Sequence, residues 1–202
     1  MKKDFIIPES KSYYLDGLCG KVEKCKKCAL HLSRNNVVFG EGNPDARLLF
    51  IGEAPGADED MQSRPFVGRS GQLLTKIISA MGLKREEVYI TNILKCRPPE
   101  NRDPHPHEVE ECIHYLFMQL DIIAPEMIVV LGRVAGITFF GKNFSITKER
   151  GRTLEFRGIP VIPTFHPAYL LMNPKAKKLT WDDMKKVLAE LNLPVPSTVA
   201  GK

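Results

Sequence analysis

Along the chain, short runs of consecutive aliphatic residues alternate with longer stretches in which apolar residues recur at helical spacing. Residues 47–52, 88–94 and 127–131 are almost wholly apolar and predict buried strands. Between them, 71–81 carries Leu73, Leu74, Ile77, Ile78 and Met81 on one helical face and stops at Gly82, and 106–123 predicts a second helix. A third helix is expected over about 134–140. Residues 153–156, a turn at Arg157-Gly158, and 159–165 predict a hairpin whose return strand joins the sheet. Thr180-Trp181-Asp182-Asp183 reads as a capped helix start running to about Leu191. A basic segment over 17–32 is expected to hold a short helix. Residues 1–16 read as an extension with aromatic content (Phe5, Tyr13, Tyr14) but no period, and 194–202 as a frayed tail.

Strands separated by helices predict an α/β domain over 17–193, a three-layer sandwich with a central, largely parallel four-stranded sheet flanked by helices. In such sheets ligands bind beyond the carboxyl ends of strands, so the loops after strands are where chemistry is sought. There is no internal repeat and no low-complexity segment.

The chain's 202 residues suffice for one well-buried core without staples, and its apolar and charged fractions, 43% and 26%, are ordinary for a globular protein. No apolar run is long enough to cross a bilayer. The first residues show no secretory signal, so a cytoplasmic location is the expectation. Lys plus Arg number 29 against 24 Asp plus Glu, a net charge of +5. That lean is compatible with a phosphate-bearing partner but does not demand one.

Four cysteines change the picture. Cys25 and Cys28 form a tight C-x-x-C, while Cys96 and Cys112 lie far downstream around a proline-rich polar stretch; Cys19 is spare. This distribution suits a soft-metal or iron–sulfur site tying remote segments together, and suits a disulfide-stapled secreted peptide poorly. Tetrahedral zinc is chemically open to the same ligands, although structural zinc more often uses two compact pairs. Buried unligated thiols are the third reading.

The predicted strand ends carry further candidates, each with a plain alternative. Gly52-Glu53-Ala54-Pro55-Gly56 lets backbone amides face a ligand closely, or is a simple turn. It is not a phosphate loop, since no Gly-Lys-Ser/Thr follows and acidic residues crowd it. Phe66, in a loop fixed by Pro65 and Gly68, offers a stacking platform or packs under its own loop. Asn92 offers a donor and an acceptor that can read an amide-like edge, such as that of uracil, or caps a turn. His166 can donate to a developing oxyanion, or is structural. Leu170 and Leu171 cap the core or wedge into a DNA stack.

Taken together, the order of these motifs resembles the family 4 uracil-DNA glycosylases, the iron–sulfur branch of that superfamily, over about residues 20–192. The likeness rests on Cys25-x-x-Cys28, Gly-Glu-Ala-Pro-Gly at 52–56, Pro-Phe-Val-Gly-Arg at 65–69, Thr-Asn-Ile-Leu-Lys-Cys-Arg-Pro-Pro at 91–99, Cys112, and His-Pro-Ala-Tyr-Leu-Leu at 166–171. The resemblance implies base excision repair: uracil is flipped out of single- or double-stranded DNA and its N-glycosidic bond hydrolysed, leaving an abasic site. It implies a [4Fe–4S] cluster on Cys25, Cys28, Cys96 and Cys112, with zinc the lesser alternative. Phe66 would stack on the base and Asn92 bond its O4/N3 edge. His166 would stabilise the uracil anion, and the backbone of Gly52, Glu53 and Ala54 would hold base and water. Glu59 would shape the pocket near C5, where other branches use a tyrosine and this chain has Gly56. Leu170 or Leu171 would fill the gap left by the flipped base, with Arg69, Lys95, Arg97 and Lys175 as backbone contacts. Two departures stand out. Ala54 replaces the water-activating Asp of the best-known branch, and Met172 replaces a common Arg. The expected species is a monomer, with repair or replication proteins as open partners. A DNA-lesion or polymerase-associated module that has lost turnover is the second reading.

Overall fold

Strands that are apolar on both faces need helices on both sides. The computed structural model describes residues 10–197; Phe5 and the end of the tail, 198–202, fall outside the described residues. The strands are β1 (Glu41–Gly42), β2 (Leu48–Gly52), β3 (Tyr89–Asn92), β4 (Met127–Leu131), β5 (Leu154–Phe156) and β6 (Ile159–Thr164). They form one sheet in the order β1-β3-β2-β4-β6-β5. The inner four are parallel, as expected. The sheet has six strands rather than four, because β1 and β5 add antiparallel edges. The two-residue β1 is too short to leave a periodic signal.

Alternate strand residues point to opposite faces. Leu49, Ile51, Ile128 and Val130 join one core with α1 (Lys11–Glu23), α4 (Pro106–Ile123) and α5 (Arg133–Phe140). Leu48, Phe50, Ile90, Met127 and Val129 join the other with α3 (Arg69–Ala80) and α8 (Lys177–Glu190). The remaining helices are short: α2 (Ala57–Gln62), α6 (Ile146–Glu149) and α7 (Pro167–Met172). The chain leaves β2 toward β3 on one side and β4 toward β6 on the other, so connections diverge at the carboxyl ends of β2 and β4. That divergence opens a crevice above the sheet.

Two helix starts differ from expectation. α1 begins at Lys11, inside the segment read as an extension. Ser10 caps it by accepting the Tyr13 N–H at 3.3 Å, and Leu15, Leu18 and Val22 bury one face. α8 begins at Lys177, so Thr180 is not its cap. Thr180 and Asp183 are instead buried within the helix, where Asp183 takes the Thr164 hydroxyl at 2.7 Å and the Arg150 guanidinium.

Candidate active site

The crevice holds a cavity of about 330 Å³ lined by Glu53, Ala54, Phe66, Asn92 and His166, candidates from four separate motifs, together with Glu59. Gly52 sits beneath it at the end of β2. A side chain there would collide with both the Asn92 Oδ1 and the Phe66 ring, so glycine is required for the pocket to exist. Asn92 is 1% exposed, and its Oδ1 is buried without a hydrogen-bond partner among the described residues. Leaving such an acceptor unpaired costs about 1–3 kcal/mol, which marks it as poised for a ligand.

Phe66 lies at φ 53°, a left-handed conformation uncommon for a residue with a side chain. Its ring centroid is 5.7 Å from that of His166. The loop around it is stapled by Glu59, whose Oε1 accepts the N–H groups of Val67 and Gly68 at 2.8 Å each, while Oε2 accepts that of Gly56 at 3.1 Å. A Cβ at position 56 would come within 2.7 Å of this carboxylate, so Gly56 and Glu59 share one space.

His166 opens α7 as its N-cap. Its Nδ1 accepts the Ala168 N–H at 3.1 Å, which leaves the proton on Nε2. Burial pulls its pKa down to about 4, so near neutral pH the ring is an uncharged donor. Gly132, at φ 92°, lets β4 end against this ring; a Cβ would sit 2.9 Å from that of His166. Burial pushes Glu53 up to about 7, helped by the nearby charge of Asp103 and opposed by Arg133.

A second, small cavity is lined by all four cysteines of the C-x-x-C, Cys96 and Cys112 set. Arg34 donates to the Cys96 Sγ at 3.0 Å, and the Lys95 backbone N–H donates to the Cys112 Sγ at 3.4 Å. Charged and backbone donors aimed at sulfur suit thiolates. Among the described residues no three His, Cys, Asp or Glu side chains are arranged to hold a single metal ion.

A profile of the Uracil DNA glycosylase superfamily matches residues 39–191. The type-4 uracil-DNA glycosylase of Thermotoga maritima is 51% identical over 82% of this chain and 88% of its own length. The corresponding proteins of Archaeoglobus fulgidus and Sulfurisphaera tokodaii are 45% and 48% identical, each over 86% of this chain and over 91% and 83% of their own lengths. The chain belongs to the uracil-DNA glycosylase superfamily, in its type-4 branch.

Within this glycosylase fold, two residues expected at the DNA surface lie elsewhere. Lys95 is fully buried, its Nζ donating to the Thr91 Oγ1 at 2.6 Å, the Asn92 main-chain oxygen at 2.7 Å and the Gln119 Oε1 at 2.6 Å. It cannot reach a phosphate. Leu170 is 1% exposed and packs with Phe165 and Ala176, so the helix turns it inward. Its neighbours Leu171 and Met172 face outward, at 37% and 82% exposure. Arg69 and Lys175 are exposed, and Arg97 is half-buried with its Nε on the Asn101 Oδ1 at 2.8 Å.

Sequence reasoning missed Asn101 and Arg102, which also line the cavity. Glu100 and Asn101 turn back at φ 55° each, and Glu108 pins Arg102 through two bonds of 2.9 and 2.6 Å. The signal was present in His105-Pro106-His107-Glu108, a helix opening whose third residue reaches back. Among the described residues no helix is long and apolar enough to cross a membrane.

Proposed function

We propose that this enzyme excises uracil from DNA by hydrolysing the N-glycosidic bond of a flipped nucleotide, leaving an abasic site for repair. The observation that carries the reading is the unpaired buried Oδ1 of Asn92 beside Phe66. Uracil brings an N3–H to that acceptor and an O4 to the amide's donors, while its ring stacks on Phe66. Cytosine has no N3–H and presents an amino group at position 4, so buried groups stay unpaired; discrimination on the order of 10⁴ follows from such mismatches. Thymine's methyl group meets the space held by Glu59.

As the bond breaks, charge separates into a sugar cation and a uracil anion. The His166 Nε2–H donates to O2 as the negative charge develops there, a contribution of roughly 3–4 kcal/mol for one well-placed donor. The backbone at Glu53 and Ala54 positions the water that captures the cation, and an ionised Glu53 favours the cation electrostatically. Leu171, rather than Leu170, enters the gap in the stack. Arg69 and Lys175 meet the phosphates.

Cys25, Cys28, Cys96 and Cys112 fit a [4Fe–4S] cluster. Each iron of such a cluster takes one thiolate, so the four sulfurs need not converge on a common point as they must for one zinc ion. When bound, the cluster would join the segment after α1, the loop after β3 and α4 through these four thiolates. Visible absorption of aerobically purified protein tests it; a colourless protein with stoichiometric zinc sinks the assignment.

The activity itself is tested by alkaline cleavage of a uracil-containing oligonucleotide after incubation with the protein. Absence of strand breaks in both single- and double-stranded substrates would leave only a binding module.

A further inference from the structure

The backbone of Phe66 is held by more than Glu59. Arg85, in the single helical turn Arg85–Glu87 that precedes β3, bonds the same loop. Its Nη1 donates to the Phe66 main-chain oxygen at 3.0 Å and to the Thr75 Oγ1 at 3.1 Å, and its Nη2 donates to the Pro65 main-chain oxygen. The guanidinium is itself fixed by Glu41, whose Oε1 accepts from Nε at 2.6 Å. Arg64 closes on the same carboxylate at 2.8 Å. Burial alone would raise the pKa of Glu41, but these two arginines outweigh it and hold the carboxyl below the usual range.

This arrangement answers a problem posed by the stacking residue. A left-handed conformation is disfavoured for any residue with a Cβ, so Phe66 relaxes unless its surroundings over-determine it. Gly71 removes the obstacle: a side chain there would collide with the Phe66 carbonyl. Arg85 supplies the constraint, because a planar fork bonding the carbonyl oxygens of residues 65 and 66 fixes the two peptide planes, 65–66 and 66–67, that flank Phe66. Arg85 does not line the cavity. Glu41, its anchor, lies on the two-residue edge strand β1, which gives that short strand a purpose beyond the sheet.

We propose that Arg85, anchored by Glu41, is a positioning residue for base recognition: it sets the two peptides flanking Phe66 and so presents the ring to the flipped uracil. The inference rests on the reading that Phe66 stacks on the base. Its consequence is that Arg85 acts on the base pocket and not on the DNA surface.

The test is a double-mutant cycle on a uracil-containing single strand, comparing Arg85→Met, Phe66→Ala and the double variant. Arg85→Met should lower kcat/KM by about 10²-fold, the cost of a small misplacement by a residue outside the chemistry. In the Phe66→Ala background the same substitution should cost little more, because the ring it positions is gone. Arg85→Met should also weaken inhibition by free uracil while leaving affinity for abasic-site DNA unchanged, a split that general damage to the fold does not produce. Equal losses in both backgrounds, or unaltered uracil inhibition, overturn the proposal. If thermal unfolding shows Arg85→Met to be poorly folded, Glu41→Gln is measured in its place. It should give a smaller loss of the same kind, and unaltered uracil inhibition again overturns the idea. A wild-type chain that excises no uracil fails the underlying reading instead, and does so before any variant enters.

Discussion

Lys95 Nζ donates to the main-chain oxygen of Asn92 at 2.7 Å, while the Lys95 backbone N–H donates to the Cys112 sulfur at 3.4 Å. One residue therefore joins the thiol cavity to Asn92, the residue proposed to read the base. Replacing Lys95 with Met keeps the backbone bond but leaves Asn92, Thr91 and Gln119 short of a donor. A stability loss of roughly 1–3 kcal/mol is expected, with reduced preference for uracil over cytosine and retained iron, measured by denaturant unfolding, paired-substrate rates and metal analysis. Loss of iron with unchanged preference would argue that Lys95 serves the cysteines alone.

Asn92→Ala and His166→Ala should each remove most activity, on the order of 10²-fold or more, while affinity for abasic-site DNA changes little. Binding assays beside single-turnover rates separate the two effects. A large drop in DNA affinity from either variant contradicts the assigned role.

Glu53, pushed up to about 7 by burial, is expected to set the pH response of excision. The carboxylate, not the neutral acid, favours the sugar cation, so kcat/KM should climb as pH rises through 7 and level off above it. At pH 6 the rate should lie about tenfold below the plateau. His166, pulled down to about 4, adds no limb in that range. In Glu53→Gln the rise should vanish; a persisting rise assigns it to another group.

Cys112→Ser should bleach the visible absorption expected of the cluster and lower the melting temperature. Uracil excision per folded molecule should fall as well, because the loop leading to Asn101 and Arg102 starts at Cys96. A colourless variant with full activity would separate the cysteines from the pocket.

Asp183 is buried beneath Arg150 and Thr164 and does not line the base cavity. Asp183→Ala should cost about 3–5 kcal/mol by stranding the Arg150 charge, with normal kcat in what remains folded. Unfolding curves and activity of the native fraction decide it.

The sheet was legible in the sequence because buried parallel strands are apolar on every residue, and α4 because its apolar spacing is regular. Thr180-Trp181-Asp182-Asp183 misled, since a Thr followed three residues later by an acid matches a cap whether it faces solvent or, as here, Thr164 and Arg150. Lys95 misled for a related reason. A cation is presumed exposed, and only the fold reveals that Thr91, Asn92 and Gln119 converge on it. The six pocket residues could be named because Asn92 ends a strand, Glu53 and Ala54 follow one, Glu59 and His166 sit at helix starts, and Phe66 lies in a Pro- and Gly-fixed loop just before a helix. Arg85 could not, because what it holds lies 20 residues away; Arg102 was missed despite the helix opening at Glu108, because its place at the cavity depends on a reversed turn.

The segment from Cys96 to Cys112 contributes Asn101 and Arg102 to the base cavity and ends in thiols at both extremities. With both thiols held, this stretch is a tether closed on itself, and much of its freedom is already gone before a nucleotide arrives. Binding then spends little of its free energy on ordering that wall. Selectivity among bases can reside in mismatched hydrogen bonds instead of in a loop that must first find its shape.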